Sequence, residues 1–369
     1  MNRNDLEANA VDRVVQALVL ALATALGGCG NSDGNEDGAG AAGGVGGETT
    51  SGASGSSAGD SNSAGVGGGQ TSGGAAGESN GGAAPSMPPD VARDRLGVGS
   101  VHGCAIDLDG HIVCWGDPAS TYPSSDLGQT QPPEGEYVHI ACHSYTCCAI
   151  NVFDQAYCWG QLAGLGASGD AIHVSVGGSE TCIVEENHEG VCVPESGEGS
   201  YRLPGQYVQM AMGHLFGCAL SEEGEVSCWG NNDYGQTESP QGAFLYITAG
   251  PGLHACGIRE DGSVTCWGSD DFGQATVPSG TFKHVCAGEA HSCGVKDDGS
   301  VVCWGAGTIT GDCQGAAYEC GQSDPPPGKF RQVACDGSHT CGLKEDGSLA
   351  CWGSNTADKS TPPPDFRSW

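Results

Sequence analysis

The sequence predicts an all-β protein: a seven-bladed β-propeller with disulfide-bridged hairpins, preceded by a disordered Gly/Ser/Ala-rich tether. Three observations carry this prediction. Seven times a cysteine is followed, after nine residues, by another: Cys104/Cys114, Cys148/Cys158, Cys182/Cys192, Cys218/Cys228, Cys256/Cys266, Cys293/Cys303 and Cys341/Cys351. In six of these pairs the second cysteine opens a Cys-Trp-Gly triplet. The first cysteines recur at intervals of 44, 34, 36, 38, 37 and 48 residues. A period near 37, with short apolar strands, frequent turns and no helical periodicity, indicates blades of three or four strands.

The chain divides into residues 1–28, 29–93 and 94–369. The run from Val14 to Leu26 is apolar except at Gln16 and ends in Leu26-Gly27-Gly28-Cys29. It resembles a bacterial lipoprotein signal, which would place the lipid on Cys29 and hold the protein to a membrane. The run is too short for a transmembrane helix. Asp5, Glu7 and Asp12 are unusual for a signal's first region, so the true start codon stays open, and a plain secretory signal is the alternative. The expected location is the cell envelope, at the outer membrane or cell surface, with secretion as the alternative. From Gly30 to about Asp90 the chain is glycine, serine and alanine with scattered acids. Such a composition buries no core and reads as a flexible tether of roughly 40–45 Å.

Within the propeller, Cys218-Ala-Leu-Ser-Glu-Glu-Gly224-Glu-Val-Ser-Cys228 shows how one hairpin is written. A three-residue loop needs a left-handed residue at its last position, which suits glycine. Gly110, Gly224, Gly262, Gly299 and Gly347 occupy that slot; Asp154 and His188 replace it, and both types tolerate positive φ. The paired cysteines then face each other at roughly 4.5 Å between Cα atoms, within disulfide reach. Free thiols are the alternative, and a zinc site would need tighter spacing. Upstream of each hairpin lies an apolar inner strand, such as Phe282-Lys-His-Val-Cys-Ala-Gly288.

The segment Val285-Cys-Ala-Gly-Glu-Ala-His-Ser-Cys293 through Trp304-Gly305, and the Gly-Gln pairs beyond it, resemble the regulator of chromosome condensation repeat family over about residues 94–369. The resemblance implies a seven-bladed propeller used as a binding platform. The family's chromosomal member is a nucleotide exchange factor that touches chromatin, and a secreted bacterial relative inhibits β-lactamases, so the match does not fix a function. The third unit departs from the pattern, with Val193-Pro194 after Cys192, and the sixth carries an insertion. The end, Asp365-Phe-Arg-Ser-Trp369, is expected to pair near the first blade and close the ring, which removes exposed edges.

Twenty-one cysteines in all point to an oxidising compartment. Beyond Cys29 and the seven pairs, Cys313 and Cys320 can bridge within the insertion. Cys286 and Cys335 could staple neighbouring inner strands, which would leave Cys142 and Cys147; the connectivity of these four stays open.

With 13 basic against 45 acidic residues, the formal charge is −32, which repels phosphate backbones and argues against nucleic acid as a partner. Four histidines, His102, His254, His291 and His339, stand two residues before a hairpin cysteine. A repeated residue is usually a structural device, here a bond to the adjacent loop backbone; a ring of imidazoles binding a metal is the alternative. No nucleophile elbow, phosphate loop or His-Glu-x-x-His helix is present. Catalysis, cofactors and a resident metal are therefore not expected.

What one blade has alone is a candidate for function. That singles out Tyr122 to Leu127, the Cys313–Cys320 loop with Tyr318, and the irregular stretch Glu185 to Glu198. Tyr234 and Phe272, each beside an aspartate, can contact a protein or a sugar ring, although packing between blades is the preferred reading for both. The expected function is a monomeric, membrane-tethered platform for a protein. Carbohydrate binding is the alternative, and a secreted hydrolase or lyase a further one.

Overall fold

The computed structural model describes residues 93–117, 126–162, 166–197, 199–308 and 319–368. Cys29, Tyr122, Cys313 and Tyr318 lie outside them. The described strands form seven antiparallel units in chain order. Blade 1 is β1 (Leu96–Gly99), β2 (His102–Ile106) and β3 (Ile112–Trp115). Blade 2 is β4 (Tyr137–His143), β5 (Thr146–Asn151) and β6 (Gln155–Gly160). Blade 3 is β7 (Gly166–Val176), β8 (Glu180–Glu185), β9 (Gly190–Pro194) and β10 (Tyr201–Leu203). Blade 4 is β11 (Gln209–Met212), β12 (Phe216–Leu220) and β13 (Val226–Gly230); blade 5 is β14 (Phe244–Ala249), β15 (His254–Arg259) and β16 (Val264–Gly268). Blade 6 is β17 (Phe282–Ala287), β18 (His291–Lys296) and β19 (Val301–Gly305); blade 7 is β20 (Phe330–Asp336), β21 (His339–Lys344) and β22 (Leu349–Gly353).

Local rules write each hairpin. Gly224 has φ of 82°, and its N–H donates to Ser221 O at 3.1 Å, closing the three-residue loop. Asp154 and His188 adopt φ of 59° and 64° in the same slot, as their tolerance for the left-handed region allows. The register then sets cysteine opposite cysteine in every blade. The seven resulting disulfides are Cys104–Cys114, Cys148–Cys158, Cys182–Cys192, Cys218–Cys228, Cys256–Cys266, Cys293–Cys303 and Cys341–Cys351. Their Cα atoms are 4.0 Å apart, or 4.1 Å for Cys182–Cys192. That corrects the expected spacing of roughly 4.5 Å, which describes an opposed pair with no bond across it.

The two partners of a bridge are not equivalent either. The first cysteine lies on the middle strand of its blade and is fully buried. Cys114, Cys158, Cys228, Cys266, Cys303 and Cys351 lie on third strands and are half-buried. Cys192 is the exception and is fully buried; there β10 pairs with β9 through Tyr201↔Cys192. Two further bridges answer the open connectivity: Cys142–Cys147 within blade 2, and Cys286–Cys335 between blades 6 and 7. Cys320 is also disulfide-bonded.

Each blade is too thin to own a core, so the apolar side chains pack between blades. One cluster joins blades 4 and 5 through Phe216, Leu220, Phe244, Ile247 and Trp267. Equivalent clusters occur at every junction, including blade 7 to blade 1, where Leu96, Val98 and Trp115 meet Leu343 and Phe366. The ring is therefore closed by packing. The end of the chain reinforces that junction: Arg367 O accepts from Leu108 N–H at 3.1 Å, and Ser368 Oγ donates to Ile106 O at 2.8 Å. The segment lies against the first blade as expected, yet as a hydrogen-bonded strap and not as a strand; Trp369 lies outside the described residues.

One expectation of separate blades needs correction. β6 and β7 pair through Gln155↔Asp170 and Tyr157↔Gly166, so blades 2 and 3 share one seven-stranded sheet. The cause is the shortest interval in the repeat, 34 residues from Cys148 to Cys182. With so short a linker, β7 first serves as an outer strand of blade 2 and then becomes the inner strand of blade 3. No helix among the described residues is long and apolar enough to cross a membrane.

Candidate functional site

The strand order gives the ring two faces. Each inner strand runs up to a tight turn, and the third strand returns to the same level, as Gly230 opposite Phe216 shows. The turns and the loops that follow the third strands therefore share one face, the turn face. The three-residue hairpin loops and the first residues of the inner strands share the other, the tip face.

The hairpin cysteines belong to the scaffold between these faces. Cys114, Cys158, Cys228, Cys266, Cys303 and Cys351 each pack at the margin of an inter-blade apolar cluster, so the bridges stiffen the blades from their outer side.

A channel of about 100 Å³ runs between the inner strands. A polar collar guards its tip end, with one residue from each blade: Asp94, His139, His173, Gln209, Tyr246, His284 and Gln332. These residues index neighbouring blades. Met210 N–H donates to His173 Nδ1 at 3.5 Å, Ile247 N–H to Gln209 Oε1 at 3.0 Å, and Arg95 N–H to Gln332 Oε1 at 3.1 Å. Asp94 is the hub: its Oδ1 accepts from His284 Nε2 and from Gln332 Nε2, each at 3.0 Å. Burial disfavours the Asp94 carboxylate, but the His284 hydrogen bond and the nearby imidazoles win and lower its pKa. Burial pushes His173 down to about 3 and raises Tyr246 well above its ordinary value. The collar's polar atoms largely bond one another and the backbone, so its evident role is to align the ring. Sequence inspection missed it because its residue types differ from blade to blade. The available signal was a polar residue at the third position of nearly every inner segment, as in Tyr137-Val-His139 and Phe330-Arg-Gln332.

The four repeated histidines sit elsewhere, deep between blades and fully buried. They are the expected structural device, with a different partner. His254 Nε2 meets Ser292 Oγ at 2.9 Å, His291 Nε2 meets Thr340 Oγ1 at 2.8 Å, and His102 Nε2 meets Cys147 Sγ at 3.0 Å. The partner is a side chain of the next blade, not the adjacent loop backbone. The corresponding position of blade 1 is Gly103, which has no side chain to offer His339, and both ring nitrogens of His339 lack a partner. Burial lowers His102 and His254 to about 4 and His291 to about 3.

The turn face carries the exposed candidates. Four loops read acid, side chain, glycine, glutamine: Asp126 to Gln129, Asp233 to Gln236, Asp271 to Gln274, and Glu319 to Gln322. In each, the glutamine is buried and its Oε1 accepts the backbone N–H two residues back, at 2.7 to 2.9 Å. Its own carbonyl accepts the indole Nε1–H of the next blade's Cys-Trp-Gly: Gln236 O from Trp267 at 3.0 Å and Gln274 O from Trp304 at 2.8 Å. The glycine has φ near +80° (81° at Gly273, with open space around it), which the reversal requires. Because the glutamine takes the inward place, the residue two before it turns outward. Leu127 is 42%, Tyr234 50% and Phe272 49% exposed. This corrects the preferred reading of Tyr234 and Phe272 as blade-packing residues. Only Cys320 in the fourth loop is buried.

The irregular third blade departs for a visible reason. Here Glu180 takes the place of the glutamine carbonyl: Trp229 Nε1 of blade 4 donates to Glu180 Oε1 at 3.0 Å, while Tyr201 Oη on the added strand β10 donates to Glu180 Oε2. Arg202 pairs with Glu185 at 2.8 Å and with Glu189.

A sequence model described as "Regulator of chromosome condensation (RCC1) repeat" matches residues 207–236, 246–274, 282–308 and 330–357, that is, blades 4 to 7. No curated protein sequence matches significantly. Among solved structures, the entire ectodomain of the receptor kinase CR4 of Physcomitrella patens is similar at 25% identity and TM-score 0.58, covering 71% of this chain and 73% of that one. The CRINKLY WD40 ectodomain of the Arabidopsis thaliana receptor kinase ACR4 is similar at 23% identity and TM-score 0.56, covering 71% and 97%. Yeast RCC1 (Prp20), in a structure bound to Kap60, is similar at 16% identity and TM-score 0.52, covering 69% and 81%. These are likenesses of fold.

Proposed function

We propose that this protein is a binding platform for another protein, held at the cell envelope, with the turn face as its recognition surface. The observation that carries the reading is the repeated tryptophan–glutamine clamp, which holds Leu127, Tyr234 and Phe272 outward on rigid loops. Half-exposed aromatic side chains on a stiff scaffold lose little freedom on binding and are favoured at interfaces. Propellers of related fold bind proteins: yeast RCC1 (Prp20) is seen with Kap60. The disulfides fit an oxidising compartment outside the cytoplasm. Cys29 as the lipid site, and residues 29–93 as the tether to the propeller of residues 94–369, complete the reading, with Tyr122 and Tyr318 as further candidate binding residues.

The test is capture by the full-length protein, disulfides intact, from envelope and culture fractions. The reading predicts one saturable protein partner whose capture falls when Tyr234→Ala and Phe272→Ala are combined. The tip-face pair Glu223→Ala and Glu260→Ala should leave it unchanged. Capture of polysaccharide in place of a protein would overturn the reading in favour of a lectin. Cys29→Ser should move the protein from the membrane to the soluble fraction; retention on the membrane would remove the anchor from the account.

A further inference from the structure

The two faces of the ring differ in charge. Every described arginine and every described lysine except Lys359 lies toward the tip face. Arg93 and Arg95 precede or open the first inner strand, and Lys283, Lys329 and Arg331 lie at the starts of later ones. Arg259, Lys296 and Lys344 end second strands beside the hairpin loops, where they stack over Phe244, Phe282 and Phe330. Arg202 pairs with acids beside the third hairpin loop, and Arg367 bonds the first hairpin loop. No lysine or arginine occurs between residues 95 and 202, nor between 202 and 259. Lys359 takes the glutamine slot of the loop after blade 7; it is buried and its Nζ donates to Ser100 O at 3.0 Å. Burial lowers its pKa. The turn face thus presents no exposed lysine or arginine side chain among the described residues; His214, beside Leu215, is the basic residue type exposed there.

Acids and apolar groups are interleaved on that face across blades 3 to 5. Asp233 precedes Tyr234, and Asp270 and Asp271 precede Phe272. Leu215, 49% exposed, adjoins the Tyr234 loop, since Leu215 O accepts Asn231 N–H at 2.9 Å. Tyr201, 38% exposed, joins from blade 3 through Glu180, which also holds Trp229 of blade 4. Trp267 of blade 5 reaches back to the Tyr234 loop through Gln236 O. The four exposed apolar side chains therefore stand on one hydrogen-bonded framework. The tip face differs at blades 6 and 7, where acids stand beside bases, as in Lys329 with Asp298 at 3.6 Å and Lys283 with Glu345 at 3.6 Å, and its exposed Leu108 and Phe153 lie apart from these pairs, on the hairpin loops of blades 1 and 2.

We infer that the turn face of blades 3 to 5 receives a cationic, apolar-rich segment of a partner protein, with lysine or arginine against the acids and bulky apolar side chains against Leu215, Tyr234 and Phe272. The inference deepens the platform reading and rests on it. An acidic or nucleic-acid partner would be repelled, and a purely apolar partner would leave the carboxylates desolvated without counter-charges, which is costly. A cationic partner satisfies both groups at once and is steered to the face by long-range attraction.

The experiment uses the full-length, disulfide-intact protein and three fluorescent peptides of equal length. The first alternates lysine or arginine with leucine and tryptophan. The second replaces every base by glutamate, and the third replaces every apolar residue by serine. The first peptide should bind saturably, with affinity that weakens as salt rises above about 0.15 M. Both analogues should bind at least about thirtyfold more weakly, since about thirtyfold corresponds to losing a single interface hot spot. Tyr234→Ser with Phe272→Ser should weaken the first peptide by about tenfold or more. Asp233→Asn with Asp271→Asn should weaken it and flatten its salt dependence. Equal binding of the glutamate peptide, or unchanged binding by both variants, would overturn the inference. A native partner that needs Tyr234 and Phe272 but is not displaced by the first peptide would also overturn it while leaving the platform reading intact. A partner indifferent to both residues would defeat the two together.

Discussion

Acid should unfold this propeller well above the pH at which carboxylates titrate. Burial holds His102, His143 and His254 near a pKa of about 4 and His173 and His291 near about 3, so all five are neutral in the folded ring at pH 5. In the unfolded chain each returns to about 6.5 and takes up a proton. The unfolded state therefore binds more protons below pH 6.5, and stability is present above that value and lost as pH falls toward 4. Between pH 7 and pH 5 each such histidine costs about 2 kcal/mol, which gives about 10 kcal/mol for five independent sites, and His139 and His339, which burial also pushes down, add to it. Asp336 works the other way. Burial raises its carboxyl to about 7, so lowering the pH removes an unfavourable buried charge and returns about 2 kcal/mol. The balance is a loss of several kcal/mol, a large part of a domain's whole stability of about 5–15 kcal/mol. Guanidinium unfolding at pH 7, 6 and 5, followed by the fluorescence of the inter-blade tryptophans, reads this directly. The midpoint should fall at each step, with a net uptake of about four protons on unfolding near pH 5. A midpoint that is flat or rises between pH 7 and 5 would refute the assignment of these histidines as buried and neutral.

Three further perturbations test the scaffold. His254→Ala removes one of the two partners of the buried Ser292 hydroxyl, which keeps its bond to Gln274 O, and should cost about 1–3 kcal/mol in guanidinium unfolding, whereas the exposed His111→Ala should be silent. Trp304→Phe keeps the ring but deletes the bond to Gln274 O; it should cost about 1 kcal/mol and speed amide exchange in the loop carrying Phe272. Cys286→Ser with Cys335→Ser opens the covalent link between blades 6 and 7, which spans a separation of 49 residues, and chain entropy sets the loss at about 4 kcal/mol. A thermal midpoint unchanged in that double variant would show that the bridge between blades 6 and 7 adds nothing to stability.

The fold was legible in the sequence wherever one residue type recurs at one spacing. Gly224, and Asp154 and His188 in its place, announced the left-handed loop position; the cysteine spacing announced the register that sets Cys218 opposite Cys228. The unequal burial of the two cysteines in a bridge was not legible, because it depends on what packs over the third strand: Cys192 is buried where β10 pairs beside it, while Cys158 stays half-buried although β7 pairs with β6. That His254 is a structural device followed from its repetition, but its burial and its bond to Ser292 did not, because that contact joins two blades across 38 residues of chain. The polar collar escaped notice because aspartate, histidine, glutamine and tyrosine can each fill the same place, so geometry and not identity repeats. Tyr234 and Phe272 were visible as candidates, yet their outward orientation depends on Gln236 and Gln274 claiming the interior, which only a folded loop reveals. The merging of β6 with β7 was likewise hidden: a short interval signals crowding without saying which strand will absorb it.

The central claim is that recognition takes place on the turn face. Photo-crosslinking residues placed singly at Tyr234 and at Glu260, in the full-length protein within its native cells, test it most directly. The account predicts a discrete protein adduct from position 234 and none from position 260. An adduct from position 260 alone would contradict it and move recognition to the tip face.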